Sequence, residues 1–137
     1  LEISEKALAI GIGSCSPDEI DTLNIKQATR KAMLQAVQNL ELQPGIVLVD
    51  AETITGLNIR QVPIIKGDAK SVSIAAASIV AKVTRDHLMI EYDKIYPQYG
   101  FASNKGYGSA THMQALKLYG PCPIHRRSFI KNILSNQ

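Results

Sequence analysis

The sequence predicts an α/β architecture carried by one domain spanning residues 1–137. Two short β-branched runs, each too short for a helix and each leading to a carboxylate, supply the strands. A long apolar segment over 71–96 and a capped, periodic segment after Ser16 supply the helices. Strands and helices therefore alternate along the chain.

Residues 7–15 (Ala-Leu-Ala-Ile-Gly-Ile-Gly-Ser-Cys) alternate small and β-branched side chains and read as a strand. Gly11 and Gly13 lack the third glycine of a dinucleotide loop, because Ser16 stands in its place; they read as points of close backbone approach. Ser16-Pro17-Asp18-Glu19 is a helix start, with Ser16 as cap, Pro17 in the first turn and Glu19 closing a capping box. Ile25, Ala28, Ala32, Ala36 and Leu40 continue the helix at steps of three and four until Gln43-Pro44-Gly45 stops it. Ile46-Val47-Leu48-Val49-Asp50 reads as a buried strand. A polar loop over 51–60 leads to Gln61-Val62-Pro63-Ile64-Ile65, a strand that Pro63 marks as an edge. The helix over 71–96 is apolar on nearly every side from Ile74 to Val83, which predicts burial. Pro97 ends it, a glycine-rich loop fills 98–110, a short helix fits 111–119, and a basic helix starts near His125.

Hydrophobic residues make up 45% and charged residues 20%, close to globular averages, which excludes a disordered or collagen-like chain. No apolar run reaches the roughly 18 residues of a membrane span, so a soluble protein is expected, and two cysteines this far apart suit a reducing cytoplasm. Cys15 and Cys122 form neither a disulfide framework nor a zinc spacing. Net charge is +3, but residues 1–65 carry −3 and residues 66–137 carry +6. A basic half suits a polyanionic partner, and a solvated mixed surface would give the same balance. The chain opens on Leu1 and not Met, which suggests a piece of a longer protein.

Asp50 and Asp68 each follow an apolar strand. Strand ends along one sheet edge are where open α/β proteins place their sites. Two carboxylates there would repel unless a cation lay between them, and hard oxygen ligands suit Mg²⁺ or Mn²⁺. Helix capping or solvation explains such acids equally well. Other chemistries lack their residues: His87, His112 and His125 have no zinc-protease spacing, no nucleophile elbow occurs, and Gly67-Asp68-Ala69-Lys70-Ser71 lacks the phosphate-loop glycines. A glycosidase carboxylate pair would often come with aromatic sugar platforms, and Trp is absent. Tyr107 lies between Gly106 and Gly108, where it could stack on a base or sugar or pack on the core. Thr84-Arg85-Asp86 reads as a structural ion pair or cap, and His125-Arg126-Arg127 as a basic helix face.

The block Ser73-Ile74-Ala75-Ala76-Ala77-Ser78-Ile79-Val80-Ala81-Lys82-Val83-Thr84-Arg85-Asp86 closely resembles the signature of bacterial ribonuclease HII, the type 2 ribonuclease H. Val47-Leu48-Val49-Asp50, Lys66-Gly67-Asp68, Asn104-Lys105-Gly106-Tyr107-Gly108-Ser109, Gly120-Pro121 and His125-Arg126-Arg127-Ser128-Phe129 follow the same family in order. The resemblance implies a ribonuclease H-like fold with a mixed central sheet flanked by helices. It implies an endonuclease that cuts the RNA strand of RNA–DNA hybrids and duplex DNA at embedded ribonucleotides, using Mn²⁺ or Mg²⁺. Of the family's four metal-binding acids, Asp50 resembles the third and Asp68 the fourth. Tyr107 matches the tyrosine that stacks on the sugar next to the ribonucleotide. Lys66, Lys70, Lys82 and Lys105 are candidate phosphate contacts, with Lys66 and Lys70 favoured because they flank Asp68.

The family's opening Asp-Glu-Gly and its ribose-sensing Gly-Arg-Gly do not occur here; Asp18-Glu19 is followed by Ile20 and already has a capping role. The first strands of the family fold are therefore expected to be missing from this chain, and the chain alone is expected to be inactive. The alternative is a non-catalytic nucleic-acid-binding remnant of the same fold. The complete protein is expected to be a monomer, whereas an exposed sheet edge would let this chain self-associate.

Overall fold

The computed structural model describes residues 2–135, with side chains through residue 131; Leu1 lies outside the described residues. The chain forms two compact units, Leu1–Cys15 with Leu23–Ala81, and Ser16–Thr22 with Lys82–Gln137.

The first unit opens with α1 (Glu2–Lys6). Residues 7–15 correct the sequence reading: they pair with no strand among the described residues. They instead lie along α3 (Ile25–Gln38), held by Asn39 Nδ2 donating to the Ile12 carbonyl at 2.8 Å and by Ser14 N–H donating to Gln35 Oε1 at 2.9 Å. A Cβ on Gly11 would collide with the Ala36 carbonyl, and one on Gly13 with the Ala32 carbonyl. The alternation of small and branched residues serves a backbone laid on a helix, and the two glycines are points of close approach, as their pattern suggests. The periodic segment after Ser16 is likewise not one helix. It is split into α2 (Pro17–Leu23) and α3 by Asn24, which takes φ 74° and caps α3 by accepting from Gln27 N–H at 3.0 Å. With ψ 164° this is the extended positive-φ region otherwise left almost entirely to glycine, so the backbone is strained there and the cap bond offsets part of that cost.

β1 (Ile46–Asp50) and β2 (Arg60–Ile64) form a parallel pair, with Ile46 opposite Arg60 and Asp50 opposite Ile64. The fold class is α/β as the sequence predicts, and the sheet formed by the described residues is this two-stranded one. Pro63, which lacks an N–H, sits on a strand with one neighbour, where that loss is tolerated. The connection over 51–59 is pinned by Gln61, whose side-chain amide accepts from Ile54 N–H at 2.6 Å and donates to the Ile54 carbonyl at 2.9 Å. Glu52 meets Arg30 of α3 at 3.3 Å. A tight turn at Lys66 then leads into α4 (Gly67–Lys70), which packs on the ends of both strands.

α5 (Val72–Ile95) matches the long helix read from the sequence. Its expected burial does not hold in this chain. Ile74 and Met89 are buried, but Val72, Ile79, Val83 and Leu88 are each about half exposed or more. Composition records what a helix could bury, and the described residues cover only part of it.

In the second unit the Ser16 capping box forms as read: Glu19 N–H donates to Ser16 Oγ at 3.2 Å. The stretch read as a loop over 98–110 contains a 3₁₀ turn (Pro97–Tyr99) and α6 (Phe101–Asn104), leaving 105–109 as the loop proper. α7 (Ala110–Tyr119) and α8 (Arg127–Ser135) follow. Met89, Tyr99, Phe101, Ala115, Leu116, Cys122 and Ile130 form the core. Asp21 accepts hydrogen bonds from Arg127 N–H, Ser128 N–H and Ser128 Oγ–H, at 2.9, 3.1 and 2.6 Å, so α8 receives its cap from a residue far away in sequence. Those bonds, the Ser128 hydroxyl first, hold the Asp21 carboxyl below its ordinary pKa.

The glycine contacts give a stability contrast. Gly13→Ala is expected to destabilise the chain by roughly 1–3 kcal/mol, since the blocking atom is helix backbone. Gly45→Ala, with nothing within 4 Å of the added carbon, should be neutral or stabilising by up to about 1 kcal/mol. Thermal or urea unfolding of the two variants measures both.

Candidate active site

Asp50 is the last residue of β1, and its Oδ1 accepts a hydrogen bond from Gly67 N–H at 2.9 Å. This bond ties the end of β1 to the first residue of α4, the helix that carries Asp68. Asp68 therefore sits in a short helix after β2, and not on the strand end itself. The parallel pairing still brings both carriers to one sheet edge, because both strands end there. Gly67 is fully buried in this junction: a Cβ on it would come within 2.6 Å of Ile74 Cδ1 and 3.4 Å of Asp50 Oδ1. Both carboxylates are exposed. One Asp50 oxygen engages one backbone N–H, and a carboxylate has about four acceptor positions. Coordination capacity thus remains for a hard divalent cation, and the donor chemistry fits one. Among the described residues no group of three or more acidic, His or Cys side chains is placed to hold a metal.

The four candidate lysines divide into two pairs. Lys66 takes φ 54° at the turn and Lys70 closes α4; both are exposed. Lys82 is bound to Asp86 at 3.0 Å, the structural ion pair read from the sequence, and that bond lowers the Asp86 pKa. Lys105 Nζ donates to the Ala102 carbonyl at 2.5 Å, turned onto the end of α6.

Tyr107 projects into solvent with 68% of its surface exposed, so it is not core packing in this chain. Its loop is held by the neighbouring polar groups. Arg85 Nη1 donates to the Lys105 carbonyl at 2.7 Å, and its guanidinium lies 5.4 Å from the Tyr107 ring centroid. Gly106, at φ 86°, passes so near α5 that a Cβ would meet Met89 Cε at 3.0 Å and Arg85 Nη2 at 3.2 Å. Asn104 accepts from Gly106 N–H at 2.8 Å and donates to the Tyr99 carbonyl at 2.7 Å. Arg126 stacks on Phe129 at 3.8 Å, and burial, then the Arg85 charge, lowers its pKa. Arg85, favoured from the sequence as part of a structural ion pair or cap over a phosphate or metal contact, thus belongs to the surroundings of Tyr107; nothing local in Thr84-Arg85-Asp86 reports a partner twenty residues away.

The sequence also gave no hint of a buried histidine pair. His112 and His125 are 4% and 7% exposed, with their Nε2 atoms 2.8 Å apart. His112 Nδ1 lies 2.8 Å from the Tyr107 carbonyl, and Cys122 N–H donates to His125 Nδ1 at 2.9 Å. Tyr99 packs edge-on against His125 with centroids 4.8 Å apart, and Phe101 against His112 at 5.4 Å.

The sequence model of ribonuclease HII matches residues 3–132. This chain belongs to the ribonuclease HII family. It is 64% identical to ribonuclease HII of Lachnoclostridium phytofermentans, over 98% of this chain and 53% of that protein. With ribonuclease HII of Clostridioides difficile the identity is 57%, over 96% and 52%. The chain spans about half the length of these curated relatives. The crystal structure of ribonuclease H2 from Pyrococcus horikoshii is similar in fold, with a TM-score of 0.67 at 26% identity, covering 88% of this chain and 66% of that one. Among the described residues, no helix of this ribonuclease HII family member is long and apolar enough to cross a membrane.

Burial, and then the neighbouring His112, lowers the His125 pKa from 6.5 to about 4. The folded state therefore binds fewer protons than the unfolded chain between those values. Stability is expected to be full above pH 6.5, to fall as pH drops toward 4 by at most about 1.4 kcal/mol per pH unit, and to lose nothing further through this group below that. Urea unfolding across pH 4–7 measures it, and His125→Asn should flatten the slope.

Proposed function

We propose that the site built on Asp50 and Asp68 belongs to a divalent-metal-dependent endonuclease acting on the RNA strand of RNA–DNA hybrids and on ribonucleotides embedded in duplex DNA. The observation that carries this reading is the junction in which Asp50, ending β1, is hydrogen-bonded to the helix bearing Asp68. A family member needs carboxylates at that edge for metal, and the Gly67 hydrogen bond leaves most acceptor positions of the Asp50 carboxylate open. Mn²⁺ or Mg²⁺ held by the two aspartates would supply positive charge at the scissile phosphate and a more acidic water. The protein groups do the remaining work. Lys66 and Lys70, which among the described residues make no ion pair, attract and orient phosphates on either side of Asp68. Tyr107 offers its exposed face to the sugar beside the ribonucleotide, and the products carry 5′-phosphate and 3′-hydroxyl ends.

A second reading is favoured by one observation: the described residues contain no group of three potential metal ligands. On that reading this chain by itself grips nucleic acid without cutting it, since two carboxylates hold Mg²⁺ weakly and leave its coordination mostly to water.

Two outcomes are expected of the 137-residue chain. Calorimetric titration with Mn²⁺ should show weak binding that Asp50→Asn or Asp68→Asn abolishes. Incubation with a duplex containing one ribonucleotide and Mn²⁺ should give no significant cleavage. Cleavage abolished by Asp50→Asn would show that the chain completes its own site and would rule out the binding-only reading. Mn²⁺ binding unchanged in both variants would remove the carboxylates from the site altogether.

A further inference from the structure

We infer that His112 and His125 are positioning residues for Tyr107, a pair of neutral imidazoles whose ordered protons fix the backbone carbonyl of that residue. This rests on the reading of Tyr107 as the group that meets the substrate sugar.

The proton order follows from one fixed donor. The Cys122 backbone N–H can only donate, so His125 Nδ1, 2.9 Å away, accepts and carries no proton. A neutral His125 then holds its proton on Nε2. That atom is 2.8 Å from His112 Nε2, so His112 accepts there. The remaining proton of His112 lies on Nδ1 and is donated to the Tyr107 carbonyl at 2.8 Å. No other order satisfies all three contacts. Protonating His125 sets an N–H against the Cys122 N–H, and protonating His112 sets two N–H groups against each other. Burial of His125 against Tyr99 and Phe101 also disfavours charge on it.

The anchored atom makes this more than core chemistry. The Tyr107 ring is mostly exposed, with the Arg85 guanidinium 5.4 Å from its centroid, so packing does little to set its direction. Its backbone does. The Tyr107 carbonyl accepts from both His112 Nδ1–H and Ser109 N–H, the latter at 2.9 Å, while Tyr107 N–H donates to the Asn104 carbonyl at 3.0 Å. Ser109 Oγ accepts from His112 N–H at 3.2 Å and starts α7 on the same residue. His112 thereby couples the start of α7 to the tyrosine, and His125 fixes which nitrogen of His112 is the donor. An exposed recognition group on a pre-set backbone loses less freedom on binding than one on a loose loop.

The test uses the 137-residue chain and a fluorescent duplex containing one ribonucleotide, with folding checked by thermal melting. Tyr107→Ala should weaken binding roughly five- to tenfold. His112→Phe keeps an aromatic ring but has no donor, and should weaken binding by a similar factor. The double variant should be no weaker than Tyr107→Ala alone, because both changes remove one function. His112→Asn, whose amide can replace Nδ1–H, should recover most of the loss. Additive effects in the double variant, or no rescue by Asn, would overturn the proposal. Two spectroscopic readouts stand independently of binding and of His112→Phe folding well. Long-range ¹H–¹⁵N spectra of the unaltered chain should show His112 protonated at Nδ1 and His125 at Nε2; any other pattern overturns the assignment. The Tyr107 carbonyl ¹³C shift should move in His112→Ala and stay close to its original value in His112→Asn; an unmoved shift in His112→Ala overturns the positioning role. If Tyr107→Ala binds like the unaltered chain while the carbonyl shift behaves as expected, the stacking reading of Tyr107 fails and the anchoring of its backbone stands.

Discussion

An aromatic side chain that points into water cannot be aimed by the packing that aims core residues, so its backbone must be held instead. In this chain the holding interaction is the hydrogen bond from His112 Nδ1 to the Tyr107 carbonyl, and much of the second unit is arranged around it. His112 donates there only if its other nitrogen is an acceptor, which requires His125 to present an Nε2–H. His125 does so only because the Cys122 N–H occupies its Nδ1. The turn at 120–125 is in turn held by Tyr99 Oη–H donating to the Gly120 carbonyl at 2.5 Å. Tyr99 and Phe101, stacked with centroids 5.3 Å apart, wall the rings from water and disfavour charge on His125. A buried polar network of this kind is worth its desolvation only when every member is satisfied, and among the described residues no buried side-chain nitrogen or oxygen lacks a partner.

The first unit rests on a simpler constraint of the same type. β1 and β2 are parallel, so their C-terminal ends share an edge, and the chain leaving β2 must turn at once to stay there. Lys66 takes the left-handed conformation to make that turn, and the Asp50 carboxylate receives the N–H that the turn exposes. The residue offered to a cation thus also fixes the entry of the helix that carries Asp68. Glycine at position 67 lets this junction close tightly, since a Cβ there would have to displace the tip of Ile74 while meeting Asp50 at ordinary van der Waals distance. Structure and candidate chemistry share one hydrogen bond, and substituting Asp50 perturbs both.

Local rules made much of this legible. Capping chemistry located Ser16–Glu19, period and length located α5, and Pro63 on a run ending near a carboxylate placed β2 beside an edge. Failures occurred where a local signal had two physical meanings. Alternating small and branched residues over 7–15 look like a strand until Gly11 and Gly13 are seen against the carbonyls of α3. The period through Ile25 and Ala28 continues past Asn24, whose capping ability interrupts the helix without disturbing the pattern. Glycine content over 98–110 reads as loop, yet Gly100, at φ 69°, joins two short helical turns. Of the candidate site, Asp50 and Asp68 were legible as carboxylates following strands and Tyr107 as a tyrosine between two glycines, and all three also stand in family blocks. The supporting roles of Arg85, His112 and His125 were not legible, because Arg85 and His112 act through backbone carbonyls and His125 through the His112 ring and the Cys122 N–H, contacts that no sequence pattern marks.

Charge shows the same distinction between composition and availability. The excess of positive charge after residue 66 suggests a general grip on phosphate, but contacts divide it. Lys82 is engaged by Asp86, Lys105 by the end of α6, and Arg85 by the Lys105 carbonyl and the Tyr107 face. A cation already hydrogen-bonded must exchange that bond for a phosphate, and the net gain shrinks accordingly. Lys66 and Lys70, exposed around Asp68, have no such exchange to make among the described residues. Two lysines beside a carboxylate also offset its repulsion toward a polyanion at separations within a Debye length, about 10 Å at 0.1 M salt. That local balance lets an acidic edge, suited to a cation, lie where a phosphate chain can approach. On the proposed reading, the uneven charge of the sequence would act at this edge through two residues of one turn.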